Sequence, residues 1–125
     1  MAARVIKHTD LKVYQRARAA ARQLFEFSGK FPKSEQYSLT DQIRRCSRSV
    51  CGNIAEAWRK RRYPNSFVSK LNDSEGEAAE TQVWLEFALE CKYVDRDAAA
   101  KLYREYDSII GMLVTMIHKP ENWSV

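Results

Sequence analysis

The sequence is poor in the residues that punctuate a chain. Four glycines and three prolines in 125 residues are too few for a loop-rich fold or a many-turned β-sandwich. No apolar run approaches the length of a membrane span, which excludes a transmembrane helix, and no membrane partner is expected. The basic start, Met1 to Asp10, is not followed by an apolar stretch, so no secretory signal is expected. Histidine occurs only as His8 and His118, and cysteine only as Cys46, Cys51 and Cys91, with no C-x-x-C pair. A structural zinc site needs four ligands at tight spacing, and that spacing is absent. The expectation is three reduced thiols in a cytoplasmic protein.

Catalytic signatures are missing as well. There is no Glu-x-x-His pair for a di-iron bundle, no glycine-rich phosphate loop, no G-x-S-x-G and no H-E-x-x-H. A cysteine nucleophile would need a nearby histidine, and neither histidine lies in a central tract. Glu77 and Glu80 read as a buried or interfacial polar pair rather than as metal ligands. No enzyme activity, cofactor or metal is expected.

What is present is a globular balance, with 45% hydrophobic and 30% charged residues. The length suits one domain spanning 1–125. Breakers divide it into four helical tracts, about 10–31, 38–61, 66–92 and 95–118. Val13, Ala17, Ala20, Leu24, Phe27 and Phe31 recur in steps of four and three, which is one face of a helix. Thr9 or Asp10 can cap that tract, and Phe31-Pro32 ends it. The second seam reads Leu39, Ile43, Cys46, Val50, Asn53 and Ala57, with Ser38 as its cap and Asp41 in its first turn. Gly52 costs it about 1 kcal/mol against alanine, which points to a kink or a close helix contact. After the turn at Tyr63-Pro64-Asn65, with Asn65 as cap, the third seam runs from Phe67 through Leu71, Ser74, Ala78, Thr81 and Leu85 to Ala88. Asp95 caps the fourth tract, and Pro120 stops it. Four tracts of matching length, each about 30 Å by its rise per residue, predict an all-α, antiparallel up-down-up-down four-helix bundle.

The third tract carries a second stripe, Glu80, Trp84, Phe87 and Cys91, and so is apolar on more than one side. The extra side predicts an interface with another copy of the chain. Charge is segregated too. Residues 1–33 carry net +6, residues 44–62 carry net +6, and residues 73–90 carry net −6, within a total of +5. Opposite charges on different helices suit head-to-tail contacts that close into rings. Arg59, Lys60, Arg61 and Arg62 form the densest cationic run, flanked by Trp58 and Tyr63, which could stack on an unpaired base. With Arg44, Arg45 and Arg48 as support, this run is the candidate nucleic-acid site; those three could extend a basic stripe along the second tract, or pair with acidic groups on the third tract or on a neighbouring copy.

Asp10-Leu-Lys-Val-Tyr-Gln-Arg-Ala17, Phe31-Pro-Lys-Ser-Glu35, Tyr37-Ser-Leu-Thr40, Gln42-Ile-Arg-Arg45 and above all Asn53-Ile-Ala-Glu56 are family-like blocks. Through them the chain resembles the four-helix bundle family encoded by intervening sequences in bacterial 23S ribosomal RNA genes. It departs where Cys51 stands in place of a usual proline, Gly52 in place of serine and Ala57 in place of glycine. The resemblance implies a bundle assembled as a homopentameric ring and associated with nucleic acid. A related branch, the accessory variability proteins of diversity-generating retroelements, implies a reverse transcriptase as a protein partner. Asn53, Ile54, Ala55 and Glu56 fall on the family motif and are read as structural: Asn53 as a buried amide fixing register, Glu56 as pairing with a basic group or capping a loop amide. The expected function is a pentameric scaffold for structured RNA or DNA, and the alternative is a protein-interaction scaffold with no nucleic-acid role.

Overall fold

A computed structural model describes residues 4–123, and all regular structure among them is helical. The helices are α1 (Lys12–Ser28), α2 (Leu39–Arg59), α3 (Pro64–Glu90) and α4 (Arg96–His118). Short 3-10 turns stand at His8–Asp10, Lys33–Glu35 and Pro120–Asn122. Each helix packs on the next in sequence, α4 closes back on α1, and the backbones of the diagonal pairs stay apart, with only core side chains between them. This is the expected four-helix bundle. The helices are not matched, however. They run from 17 to 27 residues, or about 25 to 40 Å, and α3 is the longest.

Several ends differ from their local signals. α1 stops at Ser28, where the Gly29 N–H turns to the Phe25 and Glu26 carbonyls. Phe31, held out of the helix by Pro32, still buries its ring. Asp10 caps the preceding turn instead of α1, accepting from the Ile6 and Lys7 amides at 3.0 Å each. Ser38 stands at the start of α2, but its side chain makes no cap; Glu35 does that work. One carboxylate oxygen of Glu35 accepts from the Ser38 hydroxyl at 2.6 Å and the Leu39 amide at 3.3 Å, and the other accepts from the Tyr93 hydroxyl at 2.9 Å. Glu35 thus joins the α1–α2 connection to the α3–α4 connection. α3 opens on Pro64 rather than Ser66, because a first-turn proline has no needed N–H to lose, and Asn65 lies inside the helix. It closes with Lys92 at φ 64, with the Tyr93 amide on the Ala88 carbonyl and the Lys92 amide on that of Leu89. That is the Schellman pattern, with lysine where glycine is usual. Asp95 caps α4 as expected, accepting from the Ala98 amide at 3.1 Å.

Leu24, Ile43, Ile54, Phe67, Leu71 and Tyr106 lie among the fully buried side chains of one core. Packing is heaviest between α2 and α3, where small residues line the seam. Ser74 there is wholly buried and donates its hydroxyl to the Val50 carbonyl at 2.8 Å. Two readings of α2 change. Gly52 faces open space with no close helix contact, and the helix runs through it. Asn53 is only half-buried, giving its amide to the Ser49 hydroxyl at 3.2 Å, while Ile54 takes the core position. Steps of three and four from Val50 straddle the buried face almost equally, so the apolar side chain turns inward. Polar ties cross between helices: Arg16 grips Glu105 with two bonds at 2.9 and 2.7 Å, and Gln82 donates to Asp107 at 2.8 Å. Trp123 docks edge-on against Trp58, ring centres 6.2 Å apart. No helix of the described residues is long and apolar enough to cross a membrane.

Candidate nucleic-acid interface

The cationic run at the end of α2 splits by environment. Arg59, Lys60 and Arg62 are exposed. Arg61 folds back, its guanidinium 3.6 Å over the Trp58 ring and its Nη1 donating to the Trp58 carbonyl at 2.7 Å. Burial, and then the neighbouring Arg59 charge, pull its pKa below the usual guanidinium value. Arg61 therefore closes the helix C-terminus, where a cation is favoured by the dipole. Trp58 does not stand free as a stacking platform: it is 7% exposed, and its indole N–H donates to the Ile6 carbonyl at 3.3 Å. Tyr63, at 62% exposure, is the aromatic that remains available beside the run.

Arg44, Arg45 and Arg48 do not form one stripe. Arg44 leans on α1, donating from Nε to the Ser28 hydroxyl at 2.7 Å and from Nη2 to the Phe25 carbonyl at 3.3 Å. It lies 4.4 Å over the Phe25 ring, and Arg48 lies 5.5 Å from the same ring centre. Arg45 turns the other way, 3.7 Å from Asp41 and toward Glu77 and Glu80 on α3. On a helix advancing about 100° per residue, neighbouring positions 44 and 45 must diverge, whereas 44 and 48 stay together.

The fold adds cations that the sequence reading did not single out. Arg18 and Arg22, one turn apart on α1, face Arg48 across a groove of about 340 Å³ whose walls include Tyr14, Phe25 and Cys51. Arg18 donates to the Tyr14 hydroxyl at 3.0 Å. None of the ion pairs among the described residues uses Arg18, Arg22 or Arg48. The net +6 of residues 1–33 was a legible signal, but the meeting with Arg48 depends on how α1 lies on α2.

α3 presents the opposite character. Its outer stripe exposes Phe87 by 47% and Val83 by 40%; Trp84 is half-buried, with its ring 5.8 Å from Phe87, and Cys91 is exposed. The Trp84 indole N–H is buried beside the Cys46 thiol, with no well-aligned hydrogen-bond acceptor among the described residues. Cys46 brings its sulfur within 4.8 Å of carboxylate oxygens of Glu77 and Glu80, a set whose donor atoms could hold a metal ion. Burial above all, with the two carboxylates adding, pushes the Cys46 thiol up to about 12. Arg45 lines the same hollow, and its fixed positive charge opposes a cation there. The motif residue Glu56 pairs with Lys70 at 2.8 Å, fastening α2 to α3, and that bond holds its carboxyl below the usual range. Ile54 is in the core and Ala55 is half-buried beside it. The motif thus builds the bundle.

Known proteins place this arrangement. No curated protein matches the sequence. Among solved structures, a protein of unknown function from the S23 ribosomal protein family of Bacteroides thetaiotaomicron VPI-5482 superposes with a TM-score of 0.77 at 24% identity. The match covers 85% of this chain and 95% of that one, and it shows a shared fold. The family model described as 23S rRNA-intervening sequence protein matches residues 9–115, nearly the full bundle. The chain belongs to the 23S rRNA-intervening sequence protein family.

Proposed function

We propose that the protein is a non-enzymatic, homo-oligomeric scaffold, a pentameric ring in its fullest form, that binds structured RNA or DNA through its α1–α2 face. The observation that carries this reading is a set of cations that form no ion pair among the described residues. Arg18, Arg22 and Arg48 border the groove, and Arg59, Lys60 and Arg62 extend the basic surface at the end of α2. Unpaired cations held near one another repel, and phosphates relieve that repulsion while releasing counterions. Self-association is supported by the outer stripe of α3, where Val83, Trp84 and Phe87 leave apolar surface beside acidic residues.

A salt-titrated mobility shift on structured RNA and on duplex DNA tests the reading. Replacing Arg59, Lys60 and Arg62 by glutamine should weaken binding and flatten the dependence of log K on log salt by about two to three. Unchanged affinity and slope would remove these residues from the interface. No binding by the unaltered protein at low salt would favour the pure protein-interaction scaffold.

A further inference from the structure

The α1–α2 groove has more than charge. Along α1 it is walled by Tyr14, Arg18, Arg22 and Phe25, residues that share one helical face, and across from them stand Arg48 and Cys51 of α2. Phe25 is 48% exposed, a large ring at the surface of a small bundle. It is held by Arg44, whose guanidinium lies 4.4 Å over the ring while bonded to Ser28 and to the Phe25 carbonyl. The Arg48 guanidinium, 5.5 Å from the same ring, carries no ion pair among the described residues. The groove therefore sets an anchored aromatic and a planar guanidinium beside two further arginines, Arg18 and Arg22, one helical turn apart.

From this we infer that the groove binds an unpaired stretch of nucleic acid, with a base stacked on Phe25 and Arg48 and successive phosphates on Arg18 and Arg22. This rests on the nucleic-acid reading above and narrows it to single-stranded segments, such as loops or bulges of a folded RNA. The physical reason is the concave shape. A duplex keeps its bases stacked inside and offers a ridge of phosphates, which would meet the arginines but leave Phe25 without a partner. An unpaired base presents a face of the size and flatness that an aromatic ring and a guanidinium recognise, whatever its identity. Arg44 spares the site part of its ordering cost by fixing Phe25 before the ligand arrives.

Fluorescence anisotropy at low salt tests this with three labelled probes: oligodeoxythymidylate and oligouridylate of about a dozen nucleotides, and a blunt duplex of the same length. Both single strands should bind the full chain roughly tenfold more tightly than the duplex. The tighter of the two names the preferred strand. Phe25→Leu should weaken single-strand binding roughly five- to a hundredfold and leave duplex binding unchanged. Arg22→Gln, at an exposed position, should weaken the single strands and lower their salt slope by about 0.7. Circular dichroism melts confirm that each variant folds. Equal binding of strand and duplex, or a folded Phe25→Leu variant with unaltered strand affinity, overturns the groove inference and leaves the broader interface reading standing. Absence of binding to every probe overturns the groove inference, and absence of binding to structured RNA as well overturns both.

Discussion

The two long faces of this bundle solve opposite problems. On the α1–α2 side, cations stand without carboxylates around a groove floored by aromatic and small side chains. On the outer side of α3, carboxylates are dense and the space between them is apolar, with Trp84 and Phe87 in contact. Both faces lie on helices whose inner sides are buried in the same core, so stability of the monomer accounts for neither. The comparison teaches that local composition is a poor guide to what a charge does. Arg61 and Arg62 are neighbours in the chain, yet one is stacked on Trp58 and the other is exposed. A face acquires its character from which charges the fold leaves unmatched.

The sharpest way to break the comparison is Trp84→Glu. On the reading that this stripe joins copies of the chain, sedimentation should show complete conversion of the assembly to monomer. An intact assembly would leave the α3 face without the role given to it. Next comes a contrast within α3 itself. Leu85→Ala, at 1% exposure, should cost about 3 kcal/mol in denaturant unfolding, because it opens a cavity in the core. Phe87→Ala, two residues on and 47% exposed, should change monomer stability by no more than about 0.5 kcal/mol while weakening assembly.

A smaller effect is expected at the Schellman turn. Lys92→Gly should raise stability by up to about 1 kcal/mol, since the left-handed backbone there costs a side chain and not a glycine. Last is a pH dependence that bears on both ends of the bundle. Hydrogen bonds from Ser38 and Tyr93 hold the Glu35 carboxyl below its ordinary value of 4.5, and Arg16 does the same for Glu105. A carboxylate depressed in the folded state stabilises the fold above its unfolded value and loses that contribution as pH falls through the folded value. The melting temperature should therefore drop as pH is lowered from about 4.5. Glu35→Gln and Glu105→Gln should each flatten that drop.

Much of the fold was legible. Period-four-and-three seams, the proline stops and the Asp95 cap are local signals, and each lies where the chain itself sets the geometry. The failures were also physical. Asn53 and Ile54 straddle the buried face of α2, so counting steps along the seam could not choose between them. Ser38 looked like a cap, but Glu35 could reach the same amide from the preceding turn while accepting from Tyr93 of another connection. The stacking role expected of Trp58 failed because Arg61, Ile6 and Trp123 already occupy its surroundings. The candidate site was legible as charge and hidden as geometry. The excess of residues 1–33 was plain, whereas the pairing of Arg18 and Arg22 with Arg48 joins positions far apart in the chain.

By itself the sequence determined four helices, a bundle and the family, because helical periodicity, turn residues and a short motif act over a few residues at a time. Only the tertiary structure decided which cations would be consumed and which left free. That outcome depends on partners supplied by other helices: Ser28 and Phe25 for Arg44, Asp41 and α3 for Arg45, none of the described carboxylates for Arg48. Electrostatic pairing requires proximity in space, and proximity between helices is set by the packing of the core rather than by the order of the charges along the chain.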